Sequence, residues 1–483
     1  MDGNNKNLIL ATALSFLVIL VWFVLFPPPE PVVDPNAPAA SQVAPGAITP
    51  PAVITGAAAP APEAQPEAAR LAINTPSLTG SISLLGGRID DLSLRGYNQT
   101  TAPGSDIVKL LRPVGANNAY YTMYGWAPGG TLDFADVPGA NTEWTLASGD
   151  VLTPENPVTL QWDNGKGLVF NRTMSIDADY MFTVTQSVQN NGTAEARLAP
   201  YGAVARHGKP TDLENFFISH EGVIQMADGK LAEVDYDDMV DLPVSDAERA
   251  NTDITDVTAS GWIGFGDKYW MTALIPASGQ AFKAVQKYVP ASDVYLTETR
   301  YPALSVAPGA TVEVSSRLFA GAKEWEAIRH YQNDAGVDRF IDSIDWGWFF
   351  FLTKPIFTVL HWLHNLIGNM GVAIIALTFL LKAIVLPLAY KSYVSMARMK
   401  ELQPEMEALK ERIGDDRQKM QMEMMKLYRE KKVNPAAGCL PILIQIPIFF
   451  SLYKVIFVTI ELRHAPFFGV FNDLSAPDPT SMF

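Results

Sequence analysis

Lys382 is the one charge in the run Met370 to Tyr390, 21 residues long and otherwise apolar or uncharged. That length matches the roughly 20 residues a helix needs to cross a bilayer. A cation rooted about 12 Å inside one end of such a helix, at a rise of 1.5 Å per residue, costs at least ~2.5–3.5 kcal/mol on insertion scales unless polar surroundings offset it. Thr378 lies one turn earlier on the same face. The chemistry open to this pair is non-covalent: a hydrated positive charge held within the membrane, where an acidic or polar group could rest. The bland alternative is a lysine that snorkels along its own stem to the headgroups. A second apolar run, Ala436 to Val458, carries Gln445 at its middle, with Pro441 and Pro447 freeing backbone groups that need polar partners. Lys454, near the far end of that run, reads as a snorkelling residue. Together the two runs predict a wet cavity lined by Lys382, Thr378 and Gln445.

Other reactive residues form weaker constellations. His207 and His220 are isolated, and Asp235, Asp237, Asp238 and Asp241 lack the glycine-containing spacing of a calcium loop, so a solvated acidic loop is expected. His361 and His364 share a helical face without a neighbouring nucleophile or carboxylate in sequence. The single cysteine, Cys439, excludes an intrachain disulfide and reads as a small buried apolar residue. No CxxC, HExxH or glycine-rich phosphate loop is present, so neither a metal nor another cofactor is expected. The chain has a net charge of −15, and between Pro27 and Phe350 it holds 20 Lys and Arg against 39 Asp and Glu. Acidic bulk of this kind argues against specific nucleic-acid binding.

The elements that must position these residues can be traced along the chain. Leu8 to Phe26 is a charge-free run of 19 residues that stops at three prolines, longer than the apolar part of a cleaved signal. Residues 1–26 are therefore expected to form a transmembrane signal anchor, and Lys6 before it, with no basic residue until Arg70, places the N-terminus in the cytoplasm. Residues 27–70 hold 12 Pro and 13 Ala and should form a periplasmic tether. From 71 to 322, short β-type runs such as Met181–Val188 alternate at period two and are separated by Asn-Gly and Asp-Gly turns, which predicts one large β-sandwich. Residues 323–346 read as a helical linker. Residues 347–367, rich in aromatics, read as an amphipathic helix lying along the outer membrane boundary.

The second span is then 368–390. The basic segment 391–434, with Met396, Met399, Leu402, Met406, Leu409 and Ile413 at helical spacing and Gly414-Asp415-Asp416 as a break, predicts a cytoplasmic helical hairpin. Its Met-rich stripe serves packing between the two helices or receives apolar partners. The third span is 435–460, and 461–483 should be periplasmic. The expected fold class is a multi-domain α+β membrane protein, with α-helical transmembrane spans, a large periplasmic β-sandwich and a cytoplasmic helical hairpin.

The segments GWFFFLTKPIF, HWLHNLIGNMG, TFLLKAIVLPL, SYVSMARMKELQPEMEALKERIGDD, EMMKLYREKKVNPAAGCLPILIQIPIFFSLY, ELRHAPF and DLSAPDP stand in an order and spacing that resembles the bacterial YidC family of membrane protein insertases. The anchor, tether and β domain resemble the Gram-negative form. The resemblance implies a bacterial inner-membrane location and a hydrophilic groove among five spans, open to cytoplasm and lipid. It implies nascent membrane proteins as substrates, passing Lys382, Thr378 and Gln445 and then Pro441 and Phe449 on the lipid-open side. Ribosome, Sec translocon and membrane lipids follow as partners, with no covalent chemistry. Two departures accompany it. Lys382 stands where the family typically has an arginine, keeping the charge but losing the planar fork that grips carboxylates. The chain is also expected to stop before the family's last three spans. The rival expectation is a periplasmic carbohydrate-binding or carbohydrate-modifying envelope protein held by membrane anchors.

Overall fold

A computed structural model of the chain describes residues 68–211, 213, 219–414, 416–431, 433, 440–468, 471 and 473–475. The expected anchor and nearly all of the proline-rich tether lie outside the described residues.

From Arg70 to Ala322 the chain is built of strands in two sheets, one of twelve strands and one of nine. The alternation that predicts strands has its physical counterpart here: Leu168–Ile176 alternates strictly between buried and half-buried residues, as a strand with one face on a core does. Strands adjacent in sequence often pair, as Leu168–Ile176 does with Met181–Asn190. Non-local pairs close the sheets. Ala196–His207 lies between Tyr120–Gly129 and Val294–Arg300, and Thr311–Ala322 lies between Met181–Asn190 and Trp270–Pro276. Their facing sides enclose a core that includes Trp126, Phe170, Phe182, Trp262, Phe265 and Phe319, each at most 1% exposed. Burying such side chains is worth ~1.5–3 kcal/mol apiece.

The sandwich also buries charge, and pairs it. Glu298, 1% exposed, lies between Lys287 Nζ at 2.6 Å and Arg300 at 2.6 Å, while Arg300 reaches Glu248 at 2.6 Å. Arg172 is clamped without any carboxylate: it donates to the carbonyls of Gly86, Gly87 and Tyr124 at 3.2, 2.9 and 2.5 Å and stacks 4.5 Å from the Trp144 ring. Burial pushes its guanidinium down to about 10. Glu298 and Glu248 are thus each held by cations, so neither is free to act as an acid or base.

After the last strand comes a linker helix, Trp325–Asn333, followed by a surface helix, Phe350–Ile367, with Pro355 in its first turns. The surface helix buries Ile356, Phe357 and Leu360 and leaves Phe350, Phe351, Trp362 and Leu366 largely exposed, as a helix with one apolar side left for lipid would. Trp325, Trp346 and Phe357 meet edge to face with centroids 5.0–6.0 Å apart, locking linker to surface helix.

Two helices are long and apolar enough to cross a membrane among the described residues: Met370–Glu401 and Pro441–Val458, the latter within Leu440–Val458. Asn369 caps the first, accepting from Val372 N–H at 3.1 Å. The helix does not end where the apolar run ends. It continues unbroken to Glu401, and the break falls at Leu402, because Pro404 fits only the first turn of the helix that follows, Gln403–Ile413. The continuous helix expected from Met396 to Ile413 is therefore divided, and its first part is an extension of the apolar helix. Gln403–Ile413 pairs with Arg417–Glu430 across Gly414, whose φ of +67° closes the turn. Tyr428 OH reaches Met406 Sδ at 3.7 Å and Lys431 reaches Glu405 at 2.6 Å. Met422 and Met425 face away from this pairing, 62% and 59% exposed.

Candidate functional site

The two apolar helices are packed at one end and bare at the other. In the first, Met370, Gly371, Ala373 and Leu377 are buried; in the second, Ser451, Lys454 and Val455 are. Gly371 is needed where it stands, since a Cβ there would sit 2.3 Å from the Phe467 ring. Beyond these ends the cover stops: no residue of 379–391 and none of 441–450 is buried by the rest of the chain. Phe379, Ile384, Leu386, Ile442 and Phe449 are each 59–73% exposed, which only a lipid solvent or a further apolar partner makes tolerable.

The candidate polar residues lie in these bare halves. At a rise of about 1.5 Å per residue, Lys382 lies about 18 Å from Met370 and Gln445 about 20 Å from Val458. Both helices pack against the surface helix, so the ammonium and the amide each lie a similar length of helix from a packed end. Among the described residues neither has a hydrogen-bond or ion-pair partner. Thr378 Oγ1 donates to the Ile374 carbonyl at 2.9 Å, so its proton is committed within the helix and only its lone pairs remain available. Pro441, Gln445 and Phe449 lie together, one turn apart, along an open, almost wholly apolar depression completed by Ile442, Ile446 and Phe450. No contact described here joins that set to Lys382 and Thr378, which sit on the neighbouring helix. Three of the five candidate residues thus share one surface, and the other two share another.

Lys454 is the residue that sequence reasoning misassigns. It does not snorkel to headgroups: it is 4% exposed and its ammonium pairs with Asp345. Asp345 stands 109 positions earlier, which explains why no local pattern could reveal the pair. His361 likewise has a carboxylate beside it, Glu326 Oε1 at 2.8 Å, supplied by the linker helix. It ties the surface helix to the linker helix. Lys354 makes a parallel tie to Asp342.

Two members of the acidic cluster have basic partners. Asp235 pairs with His220 at 2.8 Å and Asp237 with Lys209 at 2.7 Å, and among the described residues no three His, Cys, Asp or Glu side chains form a group that could hold a metal. Burial opposes the charged form of His220, but the hydrogen bond to Asp235, aided by Glu233 and Asp345, outweighs it and raises the imidazole above its ordinary value. His207, the other isolated histidine, meets Tyr121 OH at 3.3 Å.

Comparison with known proteins agrees with this division of the chain. Residues 70–359 match the family model of the YidC periplasmic domain, and residues 362–483 match that of the 60Kd inner membrane protein. A protein of Dinoroseobacter shibae named membrane protein insertase YidC is 66% identical over all of this chain and 81% of its own length. One of the same name from Jannaschia sp. is 60% identical over all of this chain and 82% of its own. Among solved structures, an active YidC insertase with its first transmembrane domain resolved matches over 97% of this chain and 83% of its own, at 17% identity and a TM-score of 0.29. A galactose mutarotase related enzyme from Lactobacillus acidophilus matches 52% of this chain and 97% of its own, at 10% identity and a TM-score of 0.35. With both family models matched and close relatives aligned along its entire length, the chain belongs to the YidC family of membrane protein insertases.

Proposed function

We propose that this chain receives nascent inner-membrane proteins in a hydrophilic, positively charged groove within the membrane and helps them insert, fold and assemble, alone or with the Sec translocon. The name carried by its relatives, membrane protein insertase, supports the activity. The observation that carries the mechanism is Lys382: a cation on an apolar helix, uncovered and without a partner among the described residues, about as many turns from its packed end as Gln445 is on the helix beside it.

A short acidic or polar segment on its way across lipid lacks a resting place in hydrocarbon. Lys382 supplies one, because attraction between unit charges at 4 Å rises from ~1 kcal/mol in water to ~4 at an effective dielectric of 20. The Gln445 amide both donates and accepts, and the Thr378 oxygen accepts. An arriving apolar span then passes along the open face of Pro441, Gln445 and Phe449 and leaves by partition into the bilayer. No bond is made or broken, and the protein acts as an insertase and chaperone rather than as an enzyme.

In this reading the N-terminus is cytoplasmic, 1–26 anchors the chain, 71–322 is periplasmic, 391–434 faces the ribosome and the Sec machinery in the cytoplasm, and 461–483 returns to the periplasm. Excess Lys and Arg in 391–434 supports that orientation. Site-specific photocrosslinking tests it: a probe at position 445 or 382 should capture a ribosome-bound nascent span. A probe at Leu231, on the sandwich surface, should not. Equal capture from all three positions, or none from 445 and 382, would sink the reading.

A further inference from the structure

The second apolar helix is held at one end and open at the other: Ser451, Lys454 and Val455 are 1%, 4% and 0% exposed, while Pro441, Gln445 and Phe449 line the open depression on the bare half. Lys454 follows Gln445 by nine residues, which at 3.6 residues per turn puts the two about 180° apart around the helix. Pro447 lies between them but does not interrupt the helix, since Leu440–Val458 is continuous.

The seat of Lys454 is built rather than incidental. Asp345 Oδ2 takes the ammonium and also accepts the His220 N–H at 2.8 Å, and Asp345 Oδ1 accepts the Gly347 N–H at 3.0 Å. The carboxylate is thereby fixed to the sandwich and to the turn that opens the surface helix. Gly347 adopts a φ of +67°, and the Lys454 stem runs over it, with Cε 3.5 Å from where a Cβ would stand. Lys323, Glu233 and Asp267 also lie near, and burial pushes the Lys323 ammonium below its ordinary range. The same helix end is held by Lys268 over the Phe457 ring at 4.1 Å, and Glu461 just beyond it accepts the Trp325 N–H at 3.2 Å. The Asp345–Lys454 pair resists rotation about the helix axis, because it is a directional bond to a side chain opposite Gln445.

We propose that Asp345 and Lys454 are positioning residues whose ion pair sets the rotation of the second apolar helix, turning Gln445 and Phe449 toward the path of the inserting polypeptide. This rests on the reading above that the Gln445 face meets substrate. With Asp345 neutralised, the buried ammonium loses its counter-charge and moves out along its stem toward water, carrying the helix face with it.

The test uses the membrane-embedded protein with Cys439→Ala, carrying a single cysteine at position 445 or at 443 on the opposite side. Labelling by a water-soluble maleimide is followed in Asp345→Asn, Lys454→Gln and Lys454→Arg, with protease resistance of the sandwich as a folding control. The expected result is strong labelling at 445 and weak labelling at 443 in the parent. In Asp345→Asn, labelling should fall severalfold at 445 and rise at 443, in Lys454→Gln the contrast should shrink, and Lys454→Arg should keep the parent pattern. Labelling that is the same in Asp345→Asn and Lys454→Gln as in the parent overturns the positioning role while leaving the groove intact. A parent in which 445 is not labelled overturns the groove, and the positioning role falls with it.

Discussion

Lys287 and Lys382 are the same residue in opposite settings. Lys287 lies in the sandwich, 2% exposed, with Glu298 at 2.6 Å and Glu248 at 3.4 Å. Lys382 lies on an apolar helix, uncovered, with no partner among the described residues. The sandwich spends much of its charge on itself: Lys287 and Arg300 are matched by carboxylates and Arg172 by carbonyls. The bare halves of the helices do the reverse, presenting large apolar side chains outward and leaving their two polar groups unmatched. In the proposed function the unmatched pair is completed by another chain, and the difference then separates the region that holds its own shape from the region that receives a substrate.

Substitutions that strike the two regions should therefore separate stability from insertion. The largest effect is expected from Glu298→Leu, which strips Lys287 and Arg300 of a shared buried carboxylate and should cost ~3–5 kcal/mol. Calorimetry should show the sandwich melting far earlier, while insertion per folded molecule stays near the parent level. A loss of insertion larger than the loss of folded protein would blur the comparison.

Acid should act on the same network. The hydrogen bond from Arg300 holds the Glu248 carboxyl, otherwise near 4.5, down to about 2. A depressed carboxylate stabilises the fold above its unfolded value and loses that contribution as pH falls through the folded one. That contribution should thus disappear between about pH 4.5 and 2, and Glu248→Gln should flatten that slope. His220 works in the other sense. Its raised value stabilises at low pH, and the contribution is lost as pH climbs above about 6.5 through the folded value, a slope that His220→Gln should remove.

Gln445→Leu should do the converse of Glu298→Leu. The sandwich should melt as before, and insertion of a substrate with a polar translocated segment should slow roughly five- to thirtyfold, the worth of ~1–2 kcal/mol for one hydrogen bond within a membrane. Smallest of all is Glu405→Ala, which removes an exposed partner of Lys431. It should change hairpin stability by less than about 1 kcal/mol.

Much of this division is legible in the sequence, because its signals are local. The period-two alternation of Met181–Val188 marks a strand that the structure extends to Asn190, and a 21-residue apolar run with one lysine marks both a span and its anomaly. What escaped notice is non-local or overlooked. The Lys454–Asp345 pair joins residues over a hundred positions apart, and the sheet order sets Tyr120–Gly129 beside Ala196–His207. The break at Leu402 did have a local signal, Pro404, but the periodicity of the methionines on either side masks it. Among the site residues, the shared face of Pro441, Gln445 and Phe449 follows from spacing alone. Their distance from Lys382 depends on how two helices cross, which no single helix encodes.

The central claim is that Lys382 offers its charge to a polypeptide in transit, and a charge-exchange insertion assay tests it most directly. A substrate with an acidic translocated segment should insert with the parent protein and with Lys382→Arg, fail with Lys382→Ala and Lys382→Glu, and recover with Lys382→Glu when its acidic residues are replaced by lysines. Insertion of the acidic substrate by Lys382→Glu at the parent rate would contradict the account.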